Sequence, residues 1–305
     1  MKIILFGGSG MIGRNLISYN SIHTIISPTS KDVNLLDFEK LNEFIKLHKP
    51  DLIINSAGLV GGIQHNINMP FEFFSKNIQM GLNLVNASKN NSVKKLINLG
   101  SSSVYPKNIS GKISEDMLLS GPLEPTNEGY ALAKIAIIKM CEYLSLVNKE
   151  FSYKTIIPCN LFGLYDKFDS INSHMIPSVI MKIHKAHQNF EKTVEIWGDG
   201  TAKREFMFAQ DLCDFILYCI ENYDRMPQNI NFGRGKDFTI NEYYEIISKI
   251  VGFKGEFIHN INKPVGMKKK LTDIQLMKDF GWNNITSLEV GISKSYNYYK
   301  NQYQK

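Results

Sequence analysis

The sequence has no apolar run of about eighteen residues, the length a helix needs to cross a bilayer. Its start, Met1-Lys2-Ile3-Ile4-Leu5-Phe6, runs directly into Gly7 and Gly8. That is too short an apolar stretch for a secretory signal, and no small-residue cleavage site follows. A cytoplasmic location without a membrane partner is expected. Cysteine is scarce: Cys141, Cys159, Cys213 and Cys219 form no CxxC pair, which excludes a zinc ribbon and a disulfide framework and leaves buried free thiols; no metal is expected. No repeat or low-complexity tract is present. Basic residues exceed acidic ones by only 6 and are dispersed, with one short cluster at Lys268-Lys269-Lys270. A nucleic-acid stripe would be longer and interleaved with aromatics, so nucleic acid is not an expected partner, whereas a small anionic ligand such as a nucleotide suits the mild excess.

What is present is enough apolar material, 43% of 305 residues, for one large α/β domain and a smaller one. In the first half, short apolar runs alternate with amphipathic stretches. Residues 3–6, 24–27, 51–55, 95–99 and 154–157 read as strands. Helices are expected from about residue 11 and over 38–48, 71–90 and 130–148. The strands are continuously apolar, as in a parallel sheet covered on both faces. The expected fold is therefore α/β, a doubly wound parallel sheet of Rossmann type. After Pro158 the rhythm changes. Helices at 174–188 and 211–222 flank a short strand at 194–197, and no second regular βαβ series follows. The expected division is a nucleotide-binding domain over 1–160 and a smaller α/β substrate-binding lobe over 161–305. Some later segments, around 205–235, are expected to return to the sheet.

Gly7-Gly8-Ser9-Gly10-Met11-Ile12-Gly13 follows the first strand and opens the first helix. Glycines let the backbone turn tightly and approach a pyrophosphate, and the helix N-terminus offers unpaired N–H groups and partial positive charge. The GxxGxxG spacing resembles that of the extended short-chain dehydrogenase/reductases. After the second strand an NAD site normally carries an acid for the ribose 2′-hydroxyl. Here that place reads Ser27-Pro28-Thr29-Ser30-Lys31, with Arg14 a further cation nearby, which suits the 2′-phosphate of NADP(H) better. Asn34-Leu35-Leu36-Asp37 resembles the adenine-contacting segment, and Asn55-Ser56-Ala57-Gly58 resembles the cofactor-lining loop after strand four of these folds.

Tyr130-Ala131-Leu132-Ala133-Lys134 places a phenol and an ammonium on one helical face. A free phenol has a pKa of about 10, and a nearby ammonium is expected to pull it down into a range useful for proton transfer. Ser101-Ser102-Ser103 follows the strand at 95–99, and ligands of open α/β sheets bind beyond the strands' carboxyl ends. Ser101 with Tyr130 and Lys134 matches the family's catalytic set.

The resemblance becomes close along nearly the whole chain. Val60-Gly61-Gly62-Ile63, Leu123-Glu124-Pro125-Thr126-Asn127-Glu128, Asn160-Leu161-Phe162-Gly163, Asn172-Ser173-His174-Met175-Ile176-Pro177, Trp197-Gly198-Asp199-Gly200, Arg204-Glu205-Phe206 and Lys270-Leu271-Thr272-Asp273 all resemble the GDP-L-fucose synthase family. Its members are bifunctional GDP-4-keto-6-deoxymannose 3,5-epimerase/4-reductases. The resemblance implies that Leu99, Gly100, Pro158, Asn160 and Leu161 border the cofactor and that His174 is an acid/base residue over the sugar. It further implies that Trp197 packs beside substrate, Arg204 grips the diphosphate with its fork, and Lys270 adds charge near the nucleotide. Lys182 stands where the family has a substrate-contacting arginine, keeping the charge without the fork. The family also pairs through long helices, so a homodimer through 71–90 and 130–148 is expected.

One departure matters most. Where the family has a cysteine that works with the histidine in epimerisation, this chain has Ser103. A thiol can form a thiolate base, and an unassisted serine hydroxyl cannot. The expectation is an NADPH-dependent C4 reductase of a GDP-linked 4-keto sugar, a 6-deoxyhexose or heptose, without epimerase activity. The alternative is the full bifunctional synthase.

Overall fold

The computed structural model describes residues 1–19, 22–169, 173–263 and 267–303. Asn172, part of one family-like segment, lies outside the described residues. The first half runs β1 (Lys2–Phe6), α1 (Met11–Tyr19), β2 (Thr24–Ile26), α2 (Phe38–His48), β3 (Leu52–Asn55), α3 (Ile63–Asn68), α4 (Pro70–Asn90), β4 (Lys95–Leu99), α5 (Glu128–Val147) and β5 (Ser152–Pro158). The second half runs β6 (Asn160–Phe162), α6 (Met175–Gln188), β7 (Thr193–Trp197), β8 (Lys203–Arg204), β9 (Phe206–Phe208), α7 (Ala209–Glu221), β10 (Asn229–Phe232), β11 (Phe238–Thr239), α8 (Ile240–Val251), β12 (Glu256–Asn260), α9 (Gln275–Phe280) and α10 (Leu288–Tyr303).

Six strands form one parallel sheet in the order β10-β5-β4-β3-β1-β2. The apolar runs explain it. Successive strand residues point to opposite faces, so a strand buried on both sides must be apolar throughout. Ile3, Leu5, Leu52, Ile54, Ile97 and Leu99 pack with Leu16 of α1 and Leu212, Phe215 and Ile216 of α7. Ile4, Phe6, Ile53 and Leu96 pack on the other face with Leu41 of α2, Leu84 of α4 and Ile137 of α5. Each such fully buried aliphatic side chain contributes roughly 1.5–3 kcal/mol. All six strands share a direction, so their carboxyl ends lie along one edge. The chain switches sides of β1 between β2 and β3, and ligands of open α/β sheets bind at such a switch point.

The second half is built around another core. Phe162, Ile176, Ile180, Val194, Ile196, Phe206, Tyr243, Ile247 and Ile292 form it. Three two-stranded ribbons surround this core: β6 with β9 and β7 with β12, both parallel, and β8 with β11, antiparallel. The helix read as 174–188 begins at Met175. The helix at 211–222 lies over Ala209–Glu221 and packs on α1, and Asn229–Phe232 joins the large sheet beside β5. No helix among the described residues is long and apolar enough to cross a membrane.

Candidate active site

The carboxyl edge of the sheet gathers most of the candidate residues. Gly7 follows β1 with φ +86°, and a Cβ there would lie 2.6 Å from the Ala57 nitrogen. A Cβ on Gly13 would lie 2.4 Å from the Gly7 carbonyl oxygen. Both positions therefore require glycine. Gly10 N donates to Gly7 O at 3.0 Å, which closes the turn, and Ser9 and Gly10 are exposed at the start of α1. The first-turn amides of α1 have no acceptors within the helix and carry its positive end. The loop thus fits a pyrophosphate of a dinucleotide. The Ala57 loop compared with one after a fourth strand follows the third strand here, because α2 alone joins β2 to β3.

A Cβ on Gly8 would lie 1.7 Å from Ser27 Oγ, so glycine also lets the segment after β2 press against the turn. In that segment Asp32 accepts from Thr29 N at 2.8 Å and Thr29 Oγ1 at 2.7 Å, which holds its carboxyl below the usual range. Arg14 instead stacks its guanidinium over the Tyr165 ring at 4.2 Å. Asp37 caps α2, accepting from Lys40 N at 3.2 Å, and so serves the helix directly.

Tyr130 and Lys134 lie on the first turns of α5. Ser101 caps a single 3-10 turn over Ser102–Val104: its Oγ accepts from Ser103 N at 3.2 Å and donates to Ser103 Oγ at 3.1 Å. Burial pushes the Tyr130 phenol up to about 12, and its hydrogen bond with Ser101 offsets only part of that. The expected pull of Lys134 on the phenol is not what the fold delivers. The ammonium is itself buried, which lowers it to about 8, and it donates to the Leu99 carbonyl at 3.0 Å. Desolvation of both groups outweighs their attraction. Tyr130 is therefore a phenol, an acid, throughout the neutral range.

Leu99 holds Lys134, Gly100 N donates to Ile156 O at 2.8 Å, and Pro158 ends β5 opposite Phe232 of β10. Asn160 and Leu161 open β6 beside β9, with Asn160 Nδ2 donating to Glu205 O at 3.2 Å. His174 is the residue before α6 but makes no side-chain cap hydrogen bond. Burial and nearby Lys167 hold its imidazole below the ordinary value, hence neutral at pH 7. Among the described residues no hydrogen bond or ring contact joins His174 to Ser101, Ser103 or Tyr130. Lys182 Nζ donates to Glu195 O of β7 at 2.8 Å. Trp197, at the end of β7, is half exposed, with Lys263 Nζ 5.3 Å from its ring centroid.

Arg204 and Lys270 are brought together. Burial, then repulsion from Arg204, lowers Lys270 to about 8, and burial also lowers Arg204. Two partly desolvated cations within reach of each other's charge, with Glu124 acting on both, fit a multiply charged anion such as a diphosphate.

All four cysteines are buried and free. Burial pushes Cys141 up to about 12 and raises Cys159, Cys213 and Cys219 as well. Cys159, directly after β5, lies near Glu205, Arg234 and Lys270, so the fold does bring one thiol toward the site, though in un-ionised form. Among the described residues no three His, Cys, Asp or Glu side chains could hold a metal.

Sequence reasoning left two polar residues without a role. Tyr105 donates to Asn231 Oδ1 at 2.7 Å, tying the serine loop to β10. Glu205 accepts four hydrogen bonds from two separate segments. Both are buried polar groups in segments otherwise read for their neighbours, and that position between motifs was the available signal.

Residues 3–233 match the NAD dependent epimerase/dehydratase family. The chain is 53% identical over 304 residues to a GDP-L-colitose synthase of Yersinia pseudotuberculosis, covering 99% of both chains. It is 46% identical over 300 residues to a GDP-L-fucose synthase of Azorhizobium caulinodans, covering 98% of this chain and 96% of the relative. Among solved structures, a GDP-mannoheptose C4 reductase from Campylobacter jejuni with NADP bound superposes with TM-score 0.88 at 27% identity, covering 98% of each chain. By its glycine loop, its sheet and these likenesses, the chain belongs to the NAD dependent epimerase/dehydratase family, in its GDP-L-fucose-synthase-like group of extended short-chain dehydrogenase/reductases.

Proposed function

We propose that this chain reduces the C4 ketone of a GDP-linked 4-keto sugar with NADPH and does not epimerise it. The observation that carries the reading is the placement of Tyr130 on the first turns of α5, with Lys134 Nζ 5.9 Å from its ring centroid and the Ser101 turn packed against that helix at the carboxyl edge of the sheet. Residues 7–13 hold the cofactor's pyrophosphate, and the segment at 27–31 holds its 2′-phosphate. Asp37, Ala57, Leu99, Gly100, Pro158, Asn160 and Leu161 complete the binding face. NADP is bound in the Campylobacter relative. When bound, NADPH supplies the hydride. Ser101 then hydrogen-bonds the ketone oxygen and Tyr130 gives that oxygen its proton. An alkoxide is far more basic than a phenolate, so a phenol raised to about 12 still donates to it readily. Lys134, fixed on the Leu99 carbonyl, keeps the Tyr130 face of α5 in place and offers its remaining donors to the ribose. Arg204 and Lys270 hold the diphosphate, Trp197 packs beside the substrate, and Lys182 adds charge.

Loss of epimerisation is supported by Ser103 and by the un-ionised state of every cysteine. A proton next to a ketone must be removed by a base, and His174 remains as a candidate. The second reading, a synthase that still epimerises, is favoured by the relatives' names: they make L-sugars, and an L-sugar formed from a D-configured precursor requires inversion at C5. The two curated relatives are named for hexoses, which favours the 6-deoxyhexose over the heptose. Residues 1–160 with the sheet-bound segments within 205–235 form the cofactor domain and the remainder the substrate lobe. The exposed Phe71, Leu82, Leu132, Tyr143 and Leu146 on α4 and α5 suit a cytoplasmic homodimer. The test is NADPH oxidation across a panel of 4-keto sugar nucleotides, with product stereochemistry read by NMR. Turnover of GDP-4-keto-6-deoxyhexoses supports the reading, and turnover of none of the panel overturns it.

A further inference from the structure

The geometry points to Glu205 as the positioning residue that sets the spacing of Arg204 and Lys270. This rests on the reading that those two cations grip the diphosphate. Glu205 is 2% exposed and follows Arg204 directly. One carboxylate oxygen accepts from Arg234 N and Gly235 N, each at 2.7 Å. The other accepts from Thr272 N at 2.9 Å and Thr272 Oγ1 at 2.7 Å. Thr272 lies two residues after Lys270, so the carboxylate joins the strand that carries one cation to the segment that carries the other. The turn after β10 is the third point of the clamp. The packing admits no slack there: a Cβ on Gly233 would lie 2.2 Å from Thr272 Oγ1 and 2.7 Å from Glu205 Oε1. The Lys270 segment has further anchors: Lys203 N donates to Lys268 O at 2.8 Å, Ile113 N to Leu271 O at 2.9 Å, Asp273 N to Ile113 O at 2.8 Å and Asn231 Nδ2 to Asp273 O at 3.1 Å. The Lys203–Lys268 bond reaches the Arg204 strand on one side of Lys270 and Glu205 reaches Thr272 on the other, so the two together bracket the cations.

The physical need is clear. Two partly desolvated cations repel each other; Glu124 offsets part of that repulsion and the Lys203–Lys268 bond ties their segments on one side, while Glu205 holds the Thr272 side. A carboxylate satisfies four donors at once because it is acceptor-only, whereas the amide of glutamine turns an NH2 toward donors on one side. Glu205→Gln therefore keeps the volume and removes half the clamp. The carboxylate's four hydrogen bonds all go to protein donors, so its loss acts through the two cations.

The experiment measures KM and kcat for the GDP-4-keto sugar, KM for NADPH, and competitive inhibition by GDP and by guanosine. For Glu205→Gln the expected result is an increase of about tenfold or more in the sugar-nucleotide KM and the GDP inhibition constant. kcat should stay within threefold, and NADPH KM and guanosine inhibition should be unchanged. Thr272→Val, which deletes one donor, should shift the same two constants about threefold. If Glu205→Gln does not fold, Thr272→Val decides alone. Unchanged GDP inhibition in the variant that folds overturns the inference, and so does equal weakening of GDP and guanosine. Arg204→Gln and Lys270→Met separate the two claims. If they leave GDP inhibition unchanged, the diphosphate reading falls and takes this inference with it. If they weaken it and Glu205→Gln does not, only the positioning role falls.

Discussion

Lys134 Nζ sits 5.9 Å from the centroid of the Tyr130 ring and donates to the Leu99 carbonyl, so the ammonium is committed to the backbone at the end of β4. The pair is thus arranged for a protonated tyrosine beside a lysine whose own charge is at risk. Burial raises one to about 12 and lowers the other to about 8.

The first prediction concerns the acid. Tyr130→Phe removes the proton donor and keeps the ring against Phe73. kcat should fall by roughly 10²–10⁴, the usual range for a positioned general acid. NADPH affinity, measured by fluorescence titration, should stay within about twofold. A variant with wild-type kcat would remove Tyr130 from the mechanism.

A second prediction is a pH limb. Lys134 has its pKa lowered by burial, so it loses its proton as pH rises through about 8. The Tyr130 phenol, at about 12, does not titrate there. The kcat profile should therefore fall on the alkaline side around pH 8. Lys134→Met should give low activity with that limb absent. A wild-type profile flat to pH 10 would contradict the assignment. Lys270 lies in the same range, and its limb belongs to the sugar-nucleotide KM.

Thiol chemistry gives a third check. Every cysteine is buried and raised above the ordinary thiol value, and thiolates, not thiols, react. Iodoacetamide at pH 8 should leave activity intact and mass spectrometry should show four free cysteines until the chain is unfolded. Rapid inactivation with alkylation at Cys159 would mean that a thiolate faces the site.

Much of this was legible in the sequence because it is local. Alternation of apolar runs with amphipathic stretches is a property of consecutive residues, and it located β1, α2, β4 and α5 within a residue or two. The two-residue strands β8 and β11 carry no such pattern, since their pairing is set by what the rest of the lobe brings together. The direction of the Tyr130 shift was missed for a related reason. Spacing on a helix shows that Lys134 is near, but desolvation depends on Leu99, Phe73 and the whole edge of the sheet. Glu205 was visible only as a neighbour of Arg204, because its donors lie about thirty and sixty-seven residues further on.

The most direct test of the central claim is exchange in deuterated water. The enzyme is incubated with GDP-4-keto-6-deoxymannose without NADPH, and deuterium at C3 and C5 is followed by NMR. If Ser103 has removed the epimerising base, neither position exchanges at a rate comparable to turnover, while addition of NADPH gives the C4-reduced product with C3 and C5 unchanged. Deuterium entering C3 or C5 at the rate of turnover would contradict the account and make this chain an epimerising synthase.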